Sequence, residues 1–187
     1  MKCRLVAIMS VLPLFAACES VDGSGARVAS GGVQVQMTKV SETGIGAPIG
    51  VLVLADTPAG LAIEASLGGL PPGSRGFHVH EKGDCGPALK DGKPVAALAA
   101  GGHYDAGATG RHEGPHGQGH AGDLPALVVD AAGNAAGVVV APRLKLDDVR
   151  GRSIMIHEGG DNFADQPKPL GGGGARIACG VVPARPN

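Results

Sequence analysis

Four of the seven histidines in this 187-residue chain lie in one Gly-rich segment, residues 101–123, which reads GGHYDAGATGRHEGPHGQGHAGD. Neutral imidazoles are the commonest protein ligands of metal ions, and a carboxylate added to them suits tetrahedral zinc. Glycine tolerates backbone conformations that other residues avoid, so a loop of this composition can fold back and direct several side chains at one point. The segment therefore predicts a metal-binding loop with candidate ligands His103, His112, His116, His120 and Asp123.

The other three histidines lie in two apolar runs. His78 and His80 alternate in GFHVH, and His157 ends IMIH. Residues two apart in a strand point to the same face, so His78 and His80 can bind one ion. With His157 and His103 they make four imidazole ligands, a set that suits tetragonal Cu(II). The zinc site would also need His103, which could serve both ions with one metal on each ring nitrogen.

Each of these features also has a simpler interpretation. Histidine pairs at strand spacing are common on surfaces, and a single histidine such as His157 is more often packed or exposed than a ligand. His-rich tracts can also bind metals adventitiously. A copper carrier or a zinc buffer would use the same histidines. The three features together favour a defined site for two metals.

Five segments resemble copper/zinc superoxide dismutases of the bacterial periplasmic type: GFHVHEKGDCG, AAGGHYDAGATG, RHEGPHGQGHAGDLPAL, IMIHEGGDN and LGGGGARIACGVV. The resemblance covers about residues 33–182, with the metal motifs in the family's order. It implies an all-β fold, an eight-stranded antiparallel Greek-key barrel or sandwich with long metal-binding and electrostatic loops. It also implies conversion of superoxide into dioxygen and hydrogen peroxide, with one copper and one zinc per subunit.

The resemblance also assigns roles to single residues. The implied copper ligands are His78, His80, His103 and His157, and the implied zinc ligands are His103, His112, His120 and Asp123. His116 matches no ligand position and is excluded. Reduction of copper would free His103, which takes up a proton while zinc holds it, so His103 and Arg176 are the expected catalytic residues. Arg176 would attract and orient superoxide.

Other polar residues have expected supporting roles. Asp161 matches a carboxylate that hydrogen-bonds one copper-ligand and one zinc-ligand histidine. Asp105 is interpreted as a turn residue, and Lys93 and Lys168 are hypothesised to help attract superoxide. A dismutase-like structural or interaction protein would keep the fold but lose copper ligands. None is missing here, which favours the enzyme.

The strand pattern agrees with this fold. Short apolar segments separated by Gly, Pro and Asp, without a helical period, predict an antiparallel barrel or sandwich. The predicted strands are residues 33–37, 49–55, 61–67, 75–80, 127–130, 136–141, 153–157 and 176–182. Long connections at residues 81–102, 102–122 and 158–175 are expected to be functional loops.

The N-terminus predicts export. Lys2 and Arg4 precede an apolar run that ends in Ala-Ala-Cys18, so residues 1–17 are expected to be a signal peptide. Cys18 is the candidate for lipidation, although Phe15 departs from the usual lipoprotein sequence, and cleavage to a soluble protein is the alternative. Residues 18–32 are a predicted tether, and residues 33–187 a single dismutase domain in the periplasm or cell envelope, anchored by lipid.

Cysteine number supports export. If Cys3 is removed and Cys18 carries lipid, Cys85 and Cys179 are the remaining pair. In an oxidising compartment a disulfide between them is expected, whereas two buried thiols are the alternative.

The net charge and composition of the chain bear on which partners it can bind. Removal of Lys2 and Arg4 from the 16 basic residues leaves 14 against 17 acidic residues, which lowers the formal charge from −1 to −3. With no basic patch and 2% aromatic residues, nucleic acid binding is not expected. The family resemblance leaves monomer and homodimer both open, and membrane attachment would depend on Cys18.

Overall fold

The computed structural model describes residues 31–185. The predicted signal peptide, the lipidation candidate Cys18 and nearly all of the tether lie outside the described residues. In the part of the chain that is described, no helix is long and apolar enough to cross a membrane.

Eleven short strands and very little helix make up the described chain. The strands are β1 (Val33–Ser41), β2 (Gly44–Thr57), β3 (Gly60–Leu67), β4 (Gly73–Arg75), β5 (Phe77–His80), β6 (Ala88–Lys90), β7 (Lys93–Val95), β8 (Leu127–Val129), β9 (Ala135–Ala141), β10 (Ser153–His157) and β11 (Arg176–Val181). The helical elements are α1 (Leu146–Val149) and two 3-10 turns, Leu98–Ala100 and Leu170–Gly172.

Seven strands form one curled antiparallel sheet in the order β5-β10-β11-β1-β2-β3-β9. β4 precedes β5 in the chain and is separated from it by Gly76. β4 pairs with β8, which precedes β9 in the chain. The last two strands of the chain therefore lie between β5 and β1, an order that requires the long crossover connections of a Greek key. The predicted all-β antiparallel fold is confirmed.

All eight predicted strand segments are present, and a turn between Thr57 and Gly60 joins β2 to β3. Three features of the secondary structure were not predicted from the sequence. The segment predicted as one strand, residues 75–80, is divided at Gly76, whose backbone pairs with the loop at Gly159. The connection 81–102 contains the hairpin β6–β7, and the connection after β9 contains the one-turn helix α1.

Aliphatic side chains fill the interior of the curled sheet. Leu52, Leu54, Leu61, Ile63 and Ile154 are fully buried, and Phe77 is the only fully buried aromatic side chain within residues 31–185. Each fully buried side chain of this size contributes about 1.5–3 kcal/mol relative to exposure. The core thus provides a rigid support for β5 and β10, which carry three of the histidines.

Candidate metal centre

β5 and β10 lie side by side and present the first three histidines. Their antiparallel register sets Met155 opposite His78 and Ser153 opposite His80, and His157 ends β10. Alternation along a strand directs His78 and His80 to one face. These three side chains lie together and are buried.

The Gly-rich loop begins and ends on the other edge of β5. His103 forms an isolated bridge with His80, and Asp123 forms one with His78. Gly122 sits between these contacts, and a Cβ atom there would lie 2.3 Å from the carbonyl oxygen of Val79. A side chain at position 122 would therefore separate the loop from the strand. The close approach explains how residues 20 positions apart meet at one point.

The first cluster contains four buried histidines, His78, His80, His103 and His157, whose candidate ligand atoms lie within 4.8 Å of one another. The outer ring nitrogens are engaged: His80 Nδ1 donates to the Gly101 carbonyl at 3.0 Å and His157 Nδ1 to the Gly174 carbonyl at 3.1 Å. The inner Nε2 atoms of His80 and His157 are 3.4 Å apart. Nδ1 of His78 is buried without a hydrogen-bond partner. Buried imidazoles with free nitrogens facing each other are what a metal ion requires.

The second cluster surrounds one oxygen of Asp123. Nδ1 of His103, of His112 and of His120 lie 3.1, 3.0 and 3.5 Å from Oδ1 of Asp123. Ligand atoms at the corners of a tetrahedron around zinc are about 3.3 Å apart, since each bond is about 2.0–2.1 Å. Nδ1 of His112 and of His120 are buried without an acceptable hydrogen bond. The donor set and its spacing fit zinc.

One detail of this second cluster differs from the predicted ligand set. The group whose candidate ligand atoms all lie within 4.8 Å consists of His78, His103, His112 and Asp123, without His120. Nδ1 of His120 nevertheless lies 3.5 Å from Oδ1 of Asp123 without a hydrogen-bond partner, so His120 also offers a free nitrogen to the second cluster.

Asp161 connects the two clusters. Its Oδ2 accepts a hydrogen bond from Nε2 of His78 at 2.7 Å, and its Oδ1 accepts one from Nε2 of His112 at 2.8 Å. The carboxylate side chain is fully buried. A Cβ atom on Gly171 would collide with this carboxylate, so the loop packs directly against it. Both histidines are thereby fixed with Nδ1 turned towards their clusters.

The histidines of the first cluster are neutral at pH 7. Burial lowers the pKa of His157 to about 3 and that of His103 to about 4, and it holds the pKa of His80 well below its ordinary value. Deprotonated imidazole is the form that binds a metal ion.

The second cluster is more polar. Burial alone would lower the pKa of His112, but the adjacent carboxylates of Asp123 and Asp161 outweigh it and raise that pKa to about 9. Burial disfavours ionised Asp123, but the hydrogen bond from His103 and the adjacent ring of His112 hold its pKa well below the usual range. A metal ion would displace the proton on His112.

Arg176 lies beside the first cluster, since it pairs with His157 between β11 and β10. Its Nη1 donates to the carbonyl of Ala97 at 2.5 Å, and its Nη2 donates to the carbonyl of Gly101 at 2.6 Å. The same Gly101 carbonyl accepts the hydrogen bond from His80. The guanidinium is therefore half-buried and fixed relative to a histidine of the cluster.

The disulfide between Cys85 and Cys179 is present and confirms that prediction. It joins the connection after β5 to β11, three residues beyond Arg176. The connection that it anchors carries the Ala97 and Gly101 carbonyls that hold the guanidinium.

The remaining predicted residues lie apart from the clusters. His116 is exposed and belongs to neither group. Asp105 accepts hydrogen bonds from Thr109 Oγ1 and the Gly110 backbone N–H, as expected of a turn residue. Lys93 and Lys168 are exposed on the predicted loops.

Sequence reasoning missed two residues that contact the Gly-rich loop. Asp165 accepts a hydrogen bond from the backbone N–H of His112 at 2.9 Å. Arg143 donates to backbone carbonyls near His120. No local pattern could have identified them, because each is separated from its partner by more than 20 residues.

Fold and site together define a class: a curled antiparallel β-sheet protein with two adjacent clusters of candidate metal ligands, both of which include His103. The family model "Copper/zinc superoxide dismutase (SODC)" matches residues 49–182. Superoxide dismutase [Cu-Zn] 2 of Salmonella typhimurium is 57% identical over 160 residues, which are 85% of this chain and 91% of that protein. The chain belongs to the copper/zinc superoxide dismutase family and is an enzyme of that type.

Solved structures agree. The Cu/Zn superoxide dismutase of Brucella abortus superposes with a TM-score of 0.79 at 53% identity, covering 80% of this chain and 97% of that one. A monomeric copper, zinc superoxide dismutase from Salmonella enterica gives a TM-score of 0.72 at 57% identity, with the same coverage. The predicted family, enzyme class and cofactors are confirmed.

Proposed function

We propose that this protein removes superoxide in the cell envelope by one-electron cycling of copper, and that its metal ligands are those assigned from the sequence. Copper would be held by His78, His80, His103 and His157, and zinc by His103, His112, His120 and Asp123. The observation that carries this assignment is the position of His103, whose Nδ1 faces Asp123 while its ring packs against His78 in the other cluster, with centroids 3.9 Å apart.

Bound copper supplies one-electron oxidation and reduction of superoxide, while zinc is redox-inert and holds its ligands in place. The role of the chain is to control protons and charge around the two ions. His103 can accept a proton at Nε2 and donate it to the reduced product, while Nδ1 remains directed at Asp123.

Arg176 would attract and orient the substrate. Superoxide is a small anion, and the formal charge of the chain is negative, so attraction must come from local positive charge. The guanidinium is fixed by two carbonyls and lies on the strand next to His157. Its planar donors can hold an anion in one orientation beside the first cluster.

Envelope localisation rests on the sequence and on the disulfide. Lys2, Arg4 and the apolar run before Cys18 are typical of an exported precursor. A disulfide between Cys85 and Cys179 is expected in an oxidising compartment. We place the mature enzymatic domain at residues 33–187, attached to a membrane through lipidated Cys18. Mass spectrometry of the mature N-terminus would reveal a diacylglyceryl group, and an unmodified N-terminus would contradict the attachment.

A second copy of the chain is not needed to complete the site. All seven of the proposed metal ligands, and Arg176 as well, come from one chain. A dimer of the mature protein would therefore show the same activity per chain as a monomer. Light scattering combined with activity at several protein concentrations measures this.

The central experiment is superoxide dismutase activity of the purified mature protein, with copper and zinc determined on the same sample. We expect about one copper and one zinc per chain. His157→Ala should lose copper and activity but retain zinc, because His157 belongs to the first cluster alone. His116→Ala, at an exposed histidine of the same loop, is the matched control and should retain both metals. Bound metal without activity would instead favour a metal carrier or buffer.

A further inference from the structure

Arg143 lies outside the Gly-rich loop and donates hydrogen bonds to backbone carbonyls near the end of that loop. It follows β9 by two residues and precedes Leu144, a core residue with 2% exposure, so its backbone belongs to the rigid barrel. Nη1 donates to the carbonyls of Gly117 at 2.5 Å and Gly119 at 3.2 Å. Nη2 donates to the carbonyls of Gly119 and His120. One guanidinium thus fixes the carbonyl groups of three residues, Gly117, Gly119 and His120.

His120 needs this support more than the other proposed zinc ligands do. His112 is held through Nε2 by Asp161, and Asp123 accepts hydrogen bonds from the backbone N–H groups of Glu113 and Gly114. His103 is paired with β5. The imidazole of His120, in contrast, makes no hydrogen bond within residues 31–185. Its orientation therefore depends on its backbone.

The backbone of His120 has few other restraints. Its N–H donates to the carbonyl of Arg111, another residue of the same loop, and its own carbonyl accepts a long hydrogen bond, 3.4 Å, from the Asp123 N–H. The segment around it is glycine-rich, with glycine at 117, 119 and 122, and such a chain has a large conformational freedom when released. Arg143 ties residues 117–120 of this segment to the barrel, whereas Gly122 is bonded to Val79 of β5.

We propose that Arg143 is a positioning residue for zinc, which acts through the carbonyls of Gly117, Gly119 and His120 to hold Nδ1 of His120 at the second cluster. The inference rests on the proposed assignment of His120 as a zinc ligand. A guanidinium suits the task because its planar fork can donate to several carbonyls at once, whereas an ammonium on a flexible stem satisfies them less well.

The test is zinc release from the copper- and zinc-loaded protein to the chromogenic chelator 4-(2-pyridylazo)resorcinol. Arg143→Met keeps the bulk of the side chain but removes every donor, and we expect release about tenfold faster or more. Arg143→Lys should fall between this variant and the wild type. Arg150→Met is the matched control, since Arg150 lies on the same connection and donates to the carbonyl of Pro183, away from the loop. It should release zinc at the wild-type rate.

A second readout separates positioning from general stability. Co(II) bound in the zinc position has visible absorption bands that report its ligand geometry, and Arg143→Met should change their shape and intensity. A purely structural role would lower the thermal midpoint and leave these bands and the release rate unchanged, which would overturn the proposal. Equal acceleration by Arg150→Met would overturn it too. If Arg143→Met does not fold, Arg143→Lys decides, and a wild-type release rate for that variant would refute the inference.

His120→Ala distinguishes failure of this inference from failure of the assignment beneath it. Faster zinc release in His120→Ala, together with wild-type release in Arg143→Met, would reject the role of Arg143 alone. Wild-type release in His120→Ala would reject His120 as a ligand, and with it the role of Arg143.

Discussion

Nε2 of His78 lies 2.7 Å from Oδ2 of Asp161, and the other oxygen of the same carboxylate holds His112. An amide at position 161 could accept from one of these histidines but would present an N–H group to the other. Asp161→Asn should therefore release one ring, and we expect zinc affinity to fall about 10–100-fold. Competition with a chelator of known affinity measures this.

Asp130→Asn is the control for Asp161→Asn. Asp130 is a second carboxylate with several hydrogen bonds, but it accepts them from the backbone of a surface turn, at Ala132 and Asn134. This variant should bind zinc normally. Equal zinc affinity in Asp161→Asn and wild type would show that the carboxylate does not orient the ligands.

The metal-free, oxidised protein should be most stable near pH 6.5. His112 has a raised pKa of about 9, so its contribution is complete below about 6.5 and is lost as the pH rises towards 9. His103 and His157 have lowered pKa values of about 4 and about 3. Below about 6.5 the unfolded chain binds protons at these two positions before the folded protein does, so stability falls again on the acid side. Urea unfolding at several pH values measures both slopes.

The alkaline slope can be assigned to His112. His112→Gln should remove the loss of stability between pH 6.5 and 9, and saturation with zinc should remove it as well, because the ion takes the place of the proton. A metal-free protein whose stability does not change between pH 6.5 and 9 would contradict the raised pKa.

Periodicity in the sequence predicted seven of the eight strand segments as single strands, because each alternates or is uniformly apolar over a short run, whereas residues 75–80 are divided at Gly76. The β6–β7 hairpin was missed although its signal is local. Asp91 and Gly92 form an Asp-Gly pair between the two strands, both with positive φ, which is typical of a two-residue hairpin turn. Residues 81–102 are expected from the sequence to be one long functional loop, and the structure shows that this loop contains the hairpin.

The proposed ligands could be predicted because histidine is rare in the rest of the chain and the motifs resemble a known family. The groups that hold these ligands in place could not be predicted. Arg143 meets the carbonyls of Gly117, Gly119 and His120 only because the end of β9 and the Gly-rich loop are brought together by the fold. Backbone acceptors such as the Gly101 carbonyl, which binds both His80 and Arg176, cannot be recognised from the sequence, because every residue has a backbone carbonyl.

Arg176→Gln should lower the second-order rate constant for superoxide about tenfold or more, because it removes the fixed cation beside the first cluster. Arg176→Lys retains the charge but not the fork of donors and should be intermediate. Pulse radiolysis measures both rates, with copper content checked on each sample. Arg185→Gln, at an exposed arginine paired with Asp147, is the control and should have the wild-type rate. A wild-type rate in Arg176→Gln would exclude substrate guidance by this residue.

Lys93 and Lys168 should contribute more weakly and at longer range, since both are exposed. Changing both to Gln should reduce the rate mainly at low ionic strength, where exposed charges are least screened. Rates measured from about 10 mM to about 150 mM salt should converge. An unchanged rate at low salt would reject any role in steering.

Replacement of both Cys85 and Cys179 by Ala should lower the free energy of unfolding by about 2–5 kcal/mol. The bond joins residues 94 positions apart, so it removes much conformational freedom from the unfolded chain. The loop that it anchors carries the two carbonyls that hold Arg176, so the rate constant for superoxide should fall as well. Urea unfolding, followed by the fluorescence of the single tyrosine, measures the first effect. Reduction of the wild-type protein with dithiothreitol should reproduce the losses of stability and of rate, and it should leave the double variant unchanged. A double variant as stable as the oxidised wild type would show that the disulfide does not support the fold.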